Sequence, residues 1–368
     1  MECKLCGKSA KNLAGHLLEK HPGVSFDVYA DSYPGPVRKE EQLNALPPPR
    51  RASAKAEALG LRLSINHGID PAVVEKTAPH YILPSVKDVG AYTAHRRLFD
   101  ALEQGDSVWV HGPPGSGKDE AVRAYSSLTR CPTLVLTVVQ GQDLSSWKFA
   151  RSFTQEGTYW EEGVLLKAVR DGHVTPDGRR IPYLIVLSDF DRCTSSQAEE
   201  LRGILDTTAG KIIGPDGATH RVLPGTRFVA TANSMGAGDP SGRMVSARVI
   251  DSSILDRFAY AVKFAPIGES TEVEILVKAY PTLFHSGRAK TVAKIGTAIR
   301  AAVGKGEFEF DWTVRSALAF AKAVARALEL GEKAPIQYAW SYLRDKAPDE
   351  QVAMGLDNCA RPHIPTGG

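Results

Sequence analysis

A glycine-rich loop between a short apolar run and a helix-forming segment constrains this chain more than any other feature. Residues 106–123 read Asp-Ser-Val-Trp-Val-His-Gly-Pro-Pro-Gly-Ser-Gly-Lys-Asp-Glu-Ala-Val-Arg. In this strand–loop–helix order, a G-x-x-x-x-G-K sequence binds phosphate. The loop N–H groups converge at the positive end of the following helix, and the lysine adds a point charge. We therefore expect phosphates to bind at Gly112, Pro113, Pro114, Gly115, Ser116, Gly117, Lys118, Asp119 and Glu120.

Composition narrows the class of protein. The 368 residues suffice for two or three domains with apolar cores, and the net charge of +3 restricts any nucleic-acid contact to a local patch. No apolar run approaches the ~20 residues that span a bilayer, so we expect no membrane contact. The five cysteines do not suggest a disulfide framework, which favours a reducing, cytoplasmic location.

The first 35 residues carry a metal-ligand pattern. Two cysteines and two histidines have the spacing C-x2-C-x9-H-x4-H, which lets thiolates on a turn and imidazoles on a helix surround Zn²⁺. The predicted ligands are Cys3, Cys6, His16 and His21. This stretch resembles the Ros/MucR type of bacterial zinc finger, which implies DNA binding, whereas many single fingers bind proteins. The sequence therefore leaves open whether the finger binds DNA or a protein. Residues 36–79, rich in proline and arginine near their start, are predicted to be a linker.

Apolar runs alternate with helical patterns between residues 80 and 265. The runs at 132–140, 183–192 and 226–233 read as buried strands, and each ends in polar residues. Strands alternating with helices predict a parallel α/β sheet with its site along one edge. Amphipathic patterns at 270–279, 289–303 and 313–330 predict a helical domain over residues 266–350. Residues 351–368 are predicted to be a tail, loose from Asp357 onward.

Seven short motifs in a fixed order resemble the AAA+ ATPases of the MoxR and CobS kind, in the dynein-related group. They lie at residues 112–119, 140–143, 163–172, 188–192, 230–233, 255–258 and 312–315. The resemblance implies a P-loop AAA+ core at 80–265, a parallel sheet between helices, with the 266–350 domain as a lid. It also implies that ATP and Mg²⁺ are bound. Asn233 resembles the sensor that orients the attacking water, Arg257 an arginine finger, and Arg315 the sensor arginine of the lid.

Two positions depart from the family pattern in ways that compensate chemically. The loop residue after the lysine is Asp119 where the family has Ser or Thr, and Ser188 aligns with the metal-binding aspartate of the strand. The same alignment places Asp189 at the catalytic glutamate. Since Mg²⁺ accepts both oxygen types, we hypothesise that Asp119 and Ser188 bind Mg²⁺ with exchanged roles. The rival interpretation is loss of catalysis.

The resemblance favours a ring, expected to be a hexamer, that uses ATP to remodel a protein or protein–DNA partner, with the zinc finger as targeting module. The aromatic segment 147–160 resembles the inserted helix that acts near the central pore in this group. A partner with a von Willebrand type A domain is implied. Two alternatives remain: a CobS-like chelatase subunit, and a switch protein that binds DNA under control of ATP without hydrolysing it.

Overall fold

A sheet of five parallel strands lies at the centre of the part of the chain that the structure describes. The computed structural model describes residues 50–51, 61, 63–84, 88–154, 157–206, 210–236, 238 and 248–364. The predicted zinc ligands Cys3, Cys6, His16 and His21 therefore lie outside the described residues, as does the first part of the predicted linker.

The strands and helices of the described chain follow the predicted alternation. The strands are β1 (Arg50–Arg51), β2 (Ser64–Ile65), β3 (Val108–His111), β4 (Thr133–Thr137), β5 (Phe149–Thr154), β6 (Gly157–Glu162), β7 (His173–Val174), β8 (Arg180–Ile181), β9 (Leu184–Ser188), β10 (Lys211–Ile213), β11 (Thr219–Arg221), β12 (Arg227–Ala232) and β13 (Tyr260–Lys263). The helices are α1 (Val89–Gln104), α2 (Lys118–Thr129), α3 (Val164–Asp171), α4 (Ser195–Arg202), α5 (Ser252–Leu255), α6 (Glu269–Ala279), α7 (Arg288–Gly304), α8 (Val314–Glu329), α9 (Pro335–Arg344) and α10 (Glu350–Ala360). None of these helices is long and apolar enough to cross a bilayer.

The strand order of the central sheet brings the predicted site residues to one edge. The order is β13–β3–β12–β9–β4, and every neighbouring pair is parallel. Thr137 at the end of β4 lies opposite Ser188 at the end of β9, and Ala232 of β12 lies opposite His111 of β3. Because the carboxyl ends of these strands meet, this edge is where ligands are expected to bind.

Both faces of the sheet are buried, which explains the nearly unbroken apolar runs of its strands. In β9, Leu184 and Val186 point into one core with residues of α1 and α2, whereas Ile185 and Leu187 point into a second core with residues of α3 and α4. The parallel α/β core predicted from the sequence is therefore confirmed.

A separate helical core forms the carboxy-terminal region. Helices α6 to α10 pack around Leu276, Ile295, Val324, Trp340 and Leu356. The sequence predicts α6, α7 and α8 to within one residue at each end, but it does not predict α9 and α10 as helices. These two short helices complete the burial of α7 and α8.

The expectation of a loose tail from Asp357 is wrong for the residues that the structure describes. Asp357 lies within α10, and its carboxylate accepts hydrogen bonds from Trp340 Nε1 at 2.8 Å and Arg344 Nε at 3.0 Å. Leu356 is fully buried beside it. The proline content of the last residues suggested a loose end, but the buried face of α10 ties the chain down as far as Ala360.

The segment before α1 packs on the core, although the sequence places residues up to 79 in a linker. Leu63 is buried in the core of α1 and α2. The Ser64 N–H donates to Glu103 Oε2 at 2.8 Å, and the Asn66 N–H donates to the Thr129 carbonyl at 2.9 Å. The last part of the predicted linker is therefore bound to the α/β core.

The aromatic segment at 147–160 forms a hairpin instead of the expected inserted helix. Strands β5 and β6 pair antiparallel, with Phe149 opposite Glu162 and Thr154 opposite Gly157. Aromatic and threonine residues favour strands, and a glycine between two such runs is typical of a hairpin. These local preferences explain why the segment forms strands and not a helix. Arg151 lies over the ring of Trp160 at 5.0 Å.

Candidate nucleotide-binding site

The glycine-rich loop joins the end of β3 to the start of α2 and lies against two other parts of the fold. Gly112 has φ +152°, and a Cβ there would lie 2.1 Å from the Phe264 carbonyl oxygen. Gly115 has φ +70°, and a Cβ there would lie 2.5 Å from the Cβ of Thr313, the residue that caps α8. Only glycine fits this loop between β13 and the lid.

Lys118 ties the loop to the end of β12. Its side chain is 7% exposed, and Nζ donates to the carbonyls of Gly112 at 2.7 Å and Pro113 at 3.0 Å, and to Asn233 Oδ1 at 3.1 Å. Burial lowers the pKa of Lys118, although carboxylates of nearby aspartates oppose that effect. The ammonium group is therefore held at the loop beside the predicted sensor.

One cleft of about 710 Å³ collects most of the predicted site residues. The predicted residues that line it are Pro114, Gly115, Lys118, Asp119, Ser188, Asp189, Asn233 and Arg315. Gly112 and Pro113 contribute the carbonyls that bind Lys118. The three remaining loop residues, Ser116, Gly117 and Glu120, line an adjoining cleft. Residues up to about 200 positions apart in the chain thus meet at the edge of the sheet.

The chemistry of this cleft fits a magnesium ion bound with a nucleotide. Asp119 and Ser188 both line it, and the Asp119 carboxylate accepts a hydrogen bond from Thr231 Oγ1 at 2.9 Å. Among the described residues, no group of three or more His, Cys, Asp or Glu side chains is placed to hold a metal alone. Mg²⁺ commonly takes one or two protein oxygens and completes its shell with phosphates and water. A carboxylate plus a hydroxyl meets that requirement.

Two aspartates after β9 have contrasting environments. Asp189 lines the cleft with φ +55°, a conformation that few residues other than glycine adopt, and its carboxylate lies 3.6 Å from Arg192 Nη1. Asp191 is 1% exposed, and its Oδ2 accepts the N–H groups of Asn233 at 2.8 Å and Ser234 at 3.2 Å. Burial raises the pKa of Asp191. Asp191 thus fixes the backbone at the predicted sensor, a role that the sequence did not reveal.

The two predicted arginines lie in different places. Arg315 is the second residue of α8 and lines the cleft beside Lys118. Arg257 follows α5 and is absent from the cleft lining; its Nη1 lies 3.5 Å from Asp206 Oδ2. Of the two predicted arginines, therefore, Arg315 is the one that lies beside the phosphate loop of its own chain.

A second cleft of about 380 Å³ adjoins the first and shares Gly115, Lys118, Asp119, Arg123 and Arg315 with it. Its apolar lining comes from the 78–84 segment and the lid, through Ile82, Ile267, Ile275, Val314 and Leu318. No sequence pattern predicts this cleft, because its two walls are about 190 residues apart in the chain.

Glu120 helps to hold the wall of the second cleft in place. Its Oε2 accepts the Ala78 N–H at 2.9 Å, and its Oε1 binds Arg123 Nη1 at 2.8 Å. The sequence placed Glu120 among the phosphate-loop residues, and in the structure its hydrogen bonds run to the 78–84 segment and to the next turn of α2.

Comparison with known proteins identifies the core. Residues 107–258 match the family model described as an AAA domain of the dynein-related subfamily. No curated protein matches the sequence.

Two solved structures of RuvB from Thermotoga maritima resemble the chain in outline. A RuvB point mutant is 13% identical with a TM-score of 0.47 and covers 73% of each chain. The RuvB Holliday junction branch migration motor is 15% identical with a TM-score of 0.43, covering 68% of this chain and 69% of that one. At these TM-scores the two similarities carry no argument about function. The family match, the phosphate loop and the parallel sheet instead show an AAA+ ATPase core, and hence an ATP-hydrolysing enzyme.

Proposed function

We propose that this ATPase works as a hexameric ring that couples ATP hydrolysis to the remodelling of a protein or protein–DNA partner. The observation that carries the proposal is the position of Arg257. Every other predicted catalytic side chain, Asp189, Asn233 and Arg315, lines the phosphate cleft of its own chain, and Arg257 does not. An arginine outside its own cleft is available to a neighbouring subunit.

Within one cleft, the chain's own residues divide the work of hydrolysis. Lys118 and the loop N–H groups hold the phosphates, and Arg315 adds positive charge from the lid. Asn233, whose backbone is fixed by Asp191, orients the attacking water, and Asp189 accepts its proton. Mg²⁺, when bound, neutralises charge on the phosphate oxygens. Asp119 and Ser188 would hold it.

Arg257 completes the site of the next subunit in this proposal. A guanidinium at the γ-phosphate stabilises the charge of the transition state, and such a residue acts in trans in several nucleotide hydrolases. Here its Nε is buried without a hydrogen-bond partner among the described residues, and its Nη1 lies 3.5 Å from Asp206 Oδ2. The described part of its own chain therefore holds the guanidinium weakly.

The partner would be engaged by two elements that lie outside the cleft. The β5–β6 hairpin exposes Phe153, Tyr159 and Trp160, and aromatic side chains are enriched where proteins bind one another. The predicted zinc finger, with Zn²⁺ on Cys3, Cys6, His16 and His21, would recruit the target, either DNA or a protein. The MoxR and CobS resemblance favours a partner with a von Willebrand type A domain.

A complementation experiment tests the ring and the shared site together. The Arg257→Ala variant keeps its phosphate cleft and lacks the arginine that would act in the neighbouring cleft. The Lys118→Ala variant lacks a working cleft and keeps that arginine. Each variant alone should show almost no Mg²⁺-dependent ATP turnover. In an equal mixture, about a quarter of the subunit interfaces would pair a working cleft with an intact Arg257. ATP turnover should therefore return to about a quarter of the turnover of the unmodified protein.

The control is Arg326→Ala, which removes an exposed lid arginine and should leave turnover unchanged. No recovery in the mixture would show that Arg257 does not act in trans. Tight ATP binding without turnover by the unmodified protein would favour the switch alternative, and metal insertion into a tetrapyrrole would single out the chelatase.

A further inference from the structure

We propose that His95, which lines the second cleft, selects adenine over guanine by accepting a hydrogen from the adenine amino group of a nucleotide whose phosphates lie in the first cleft. This inference rests on the proposed nucleotide site, since the two clefts share Gly115, Lys118 and Arg315. A triphosphate in the first cleft can therefore extend its base into the second.

The hydrogen-bonding state of His95 is fixed by its surroundings. The ring is 4% exposed and packs against Phe264, with ring centroids 5.1 Å apart. Its Nδ1 lies 2.7 Å from the Ala91 carbonyl oxygen, which can only accept, so Nδ1 carries the hydrogen. Burial lowers the pKa of His95 to about 4, and the ring is neutral near pH 7. Nε2 is then a bare acceptor.

That acceptor has nothing to bind among the described residues. Nε2 of His95 is buried without a hydrogen-bond partner, and so is the hydroxyl of Tyr81. Both residues line the second cleft, whose other walls are largely apolar. Ser116 Oγ, in the phosphate loop, is a third such atom in the same lining. Unpaired buried polar atoms are costly, so their presence in one cleft indicates a ligand that supplies their partners.

The two atoms differ in what they can recognise. A tyrosine hydroxyl donates and accepts, and it adapts to either kind of partner, whereas the neutral His95 Nε2 only accepts. Adenine carries an amino donor where guanine carries a carbonyl oxygen. An acceptor facing that carbonyl leaves both unpaired, and a buried mismatch of this kind discriminates strongly. His95 is therefore the residue that determines the base, and Tyr81 contributes affinity to both.

Binding of three nucleotides by the full chain tests this assignment. The probes are ATP, GTP and purine riboside triphosphate, which lacks only the amino group. The unmodified protein should bind ATP about fivefold more tightly than purine riboside triphosphate, the value of one neutral hydrogen bond, and GTP more weakly still. His95→Phe keeps an aromatic ring at this position and removes the acceptor. It should bind ATP and purine riboside triphosphate equally.

Matched variants separate specificity from affinity. His67→Phe, at an exposed histidine, should leave all three affinities unchanged. Tyr81→Phe should weaken ATP and GTP by similar factors and so preserve their ratio.

Two results would overturn the proposal: equal affinity of the unmodified protein for ATP and purine riboside triphosphate, which needs no variant to observe, or an unchanged ratio in His95→Phe. Failure of all three nucleotides to bind would overturn the proposed function as well. The expected order of affinities without turnover would support the base assignment and contradict only hydrolysis.

Discussion

The phosphate cleft and the β5–β6 hairpin differ in how far the protein itself binds their functional side chains. In the cleft, the polar groups are already bound to the protein: Lys118 makes three hydrogen bonds and Asp191 accepts two. In the hairpin, Phe153 is 75% exposed and Trp160 is 48% exposed. The cleft is set before its ligand arrives, whereas the hairpin offers apolar surface that the described chain leaves uncovered.

This difference indicates two kinds of recognition. The backbone at Asn233, which Asp191 fixes, needs little rearrangement when charge develops during a reaction, and this favours catalysis of one fixed step. Lys118 has three donors, so it exchanges at least one of its three hydrogen bonds for a phosphate oxygen. Exposed aromatic side chains on a short hairpin offer large contact areas with few geometric demands, which suits a protein surface. We therefore expect substitutions in the cleft to change turnover, and substitutions in the hairpin to spare it.

The largest expected effect is on ATP turnover, from substitutions of Asp119 and Ser188, the two residues proposed to bind Mg²⁺ with exchanged roles. Asp119→Ser or Ser188→Asp alone should lower ATP turnover about a thousandfold, or ~4 kcal/mol in the barrier, because each leaves the ion with the wrong charge. The double variant restores one carboxylate and one hydroxyl and should recover at least about tenfold over either single variant. Steady-state hydrolysis measures this cycle, and Asp100→Ser, on the exposed face of α1, is the control. Losses that simply add would refute the exchange.

A smaller effect is expected on the pH dependence of the unfolding free energy, through the buried His95 of the adjoining cleft. Its pKa falls from 6.5 to about 4 on folding, so the unfolded chain binds more protons between these values. The unfolding free energy should therefore fall as the pH drops from 6.5 to 4, by roughly 3 kcal/mol from this group. Urea unfolding across this range should show that loss in the unmodified protein relative to His95→Phe. Parallel pH profiles for the two proteins would contradict it.

The smallest effect is expected on the hairpin. Trp160→Ala removes a ring that is half exposed and contacts Arg151, so unfolding free energy should fall by no more than about 1 kcal/mol. ATP turnover should stay within twofold. Trp147→Ala, at the buried base of the hairpin, should cost about 3 to 5 kcal/mol. Equal losses of stability in urea for the two tryptophans would mean that the hairpin aromatics are structural.

Local patterns predict the core because each strand of it is a short apolar run that ends in polar residues. The run before Ser188 and the run before Asn233 could be read in this way, and the fixed motif order placed Lys118 and Arg315 near them. The prediction for the hairpin was wrong because it came from a family resemblance, while the aromatic and threonine residues on both sides of Gly157 favoured strands. His95 could not be found from sequence, since its importance comes from an unpaired nitrogen facing a cleft between distant segments.

The contact of Gly115 with Thr313 has a mechanical consequence. The first residue before α8 touches the phosphate loop directly, and Arg315 follows two positions later. If α8 tilted inward at this point, Thr313 would press on the backbone of the phosphate loop. We therefore expect α8 to pivot about this contact. A displacement of Arg315 at the loop end of α8 would swing the far end of that 16-residue helix by a longer arc. A change at the phosphate loop would thereby move the far end of α8 more than the end that contacts the loop.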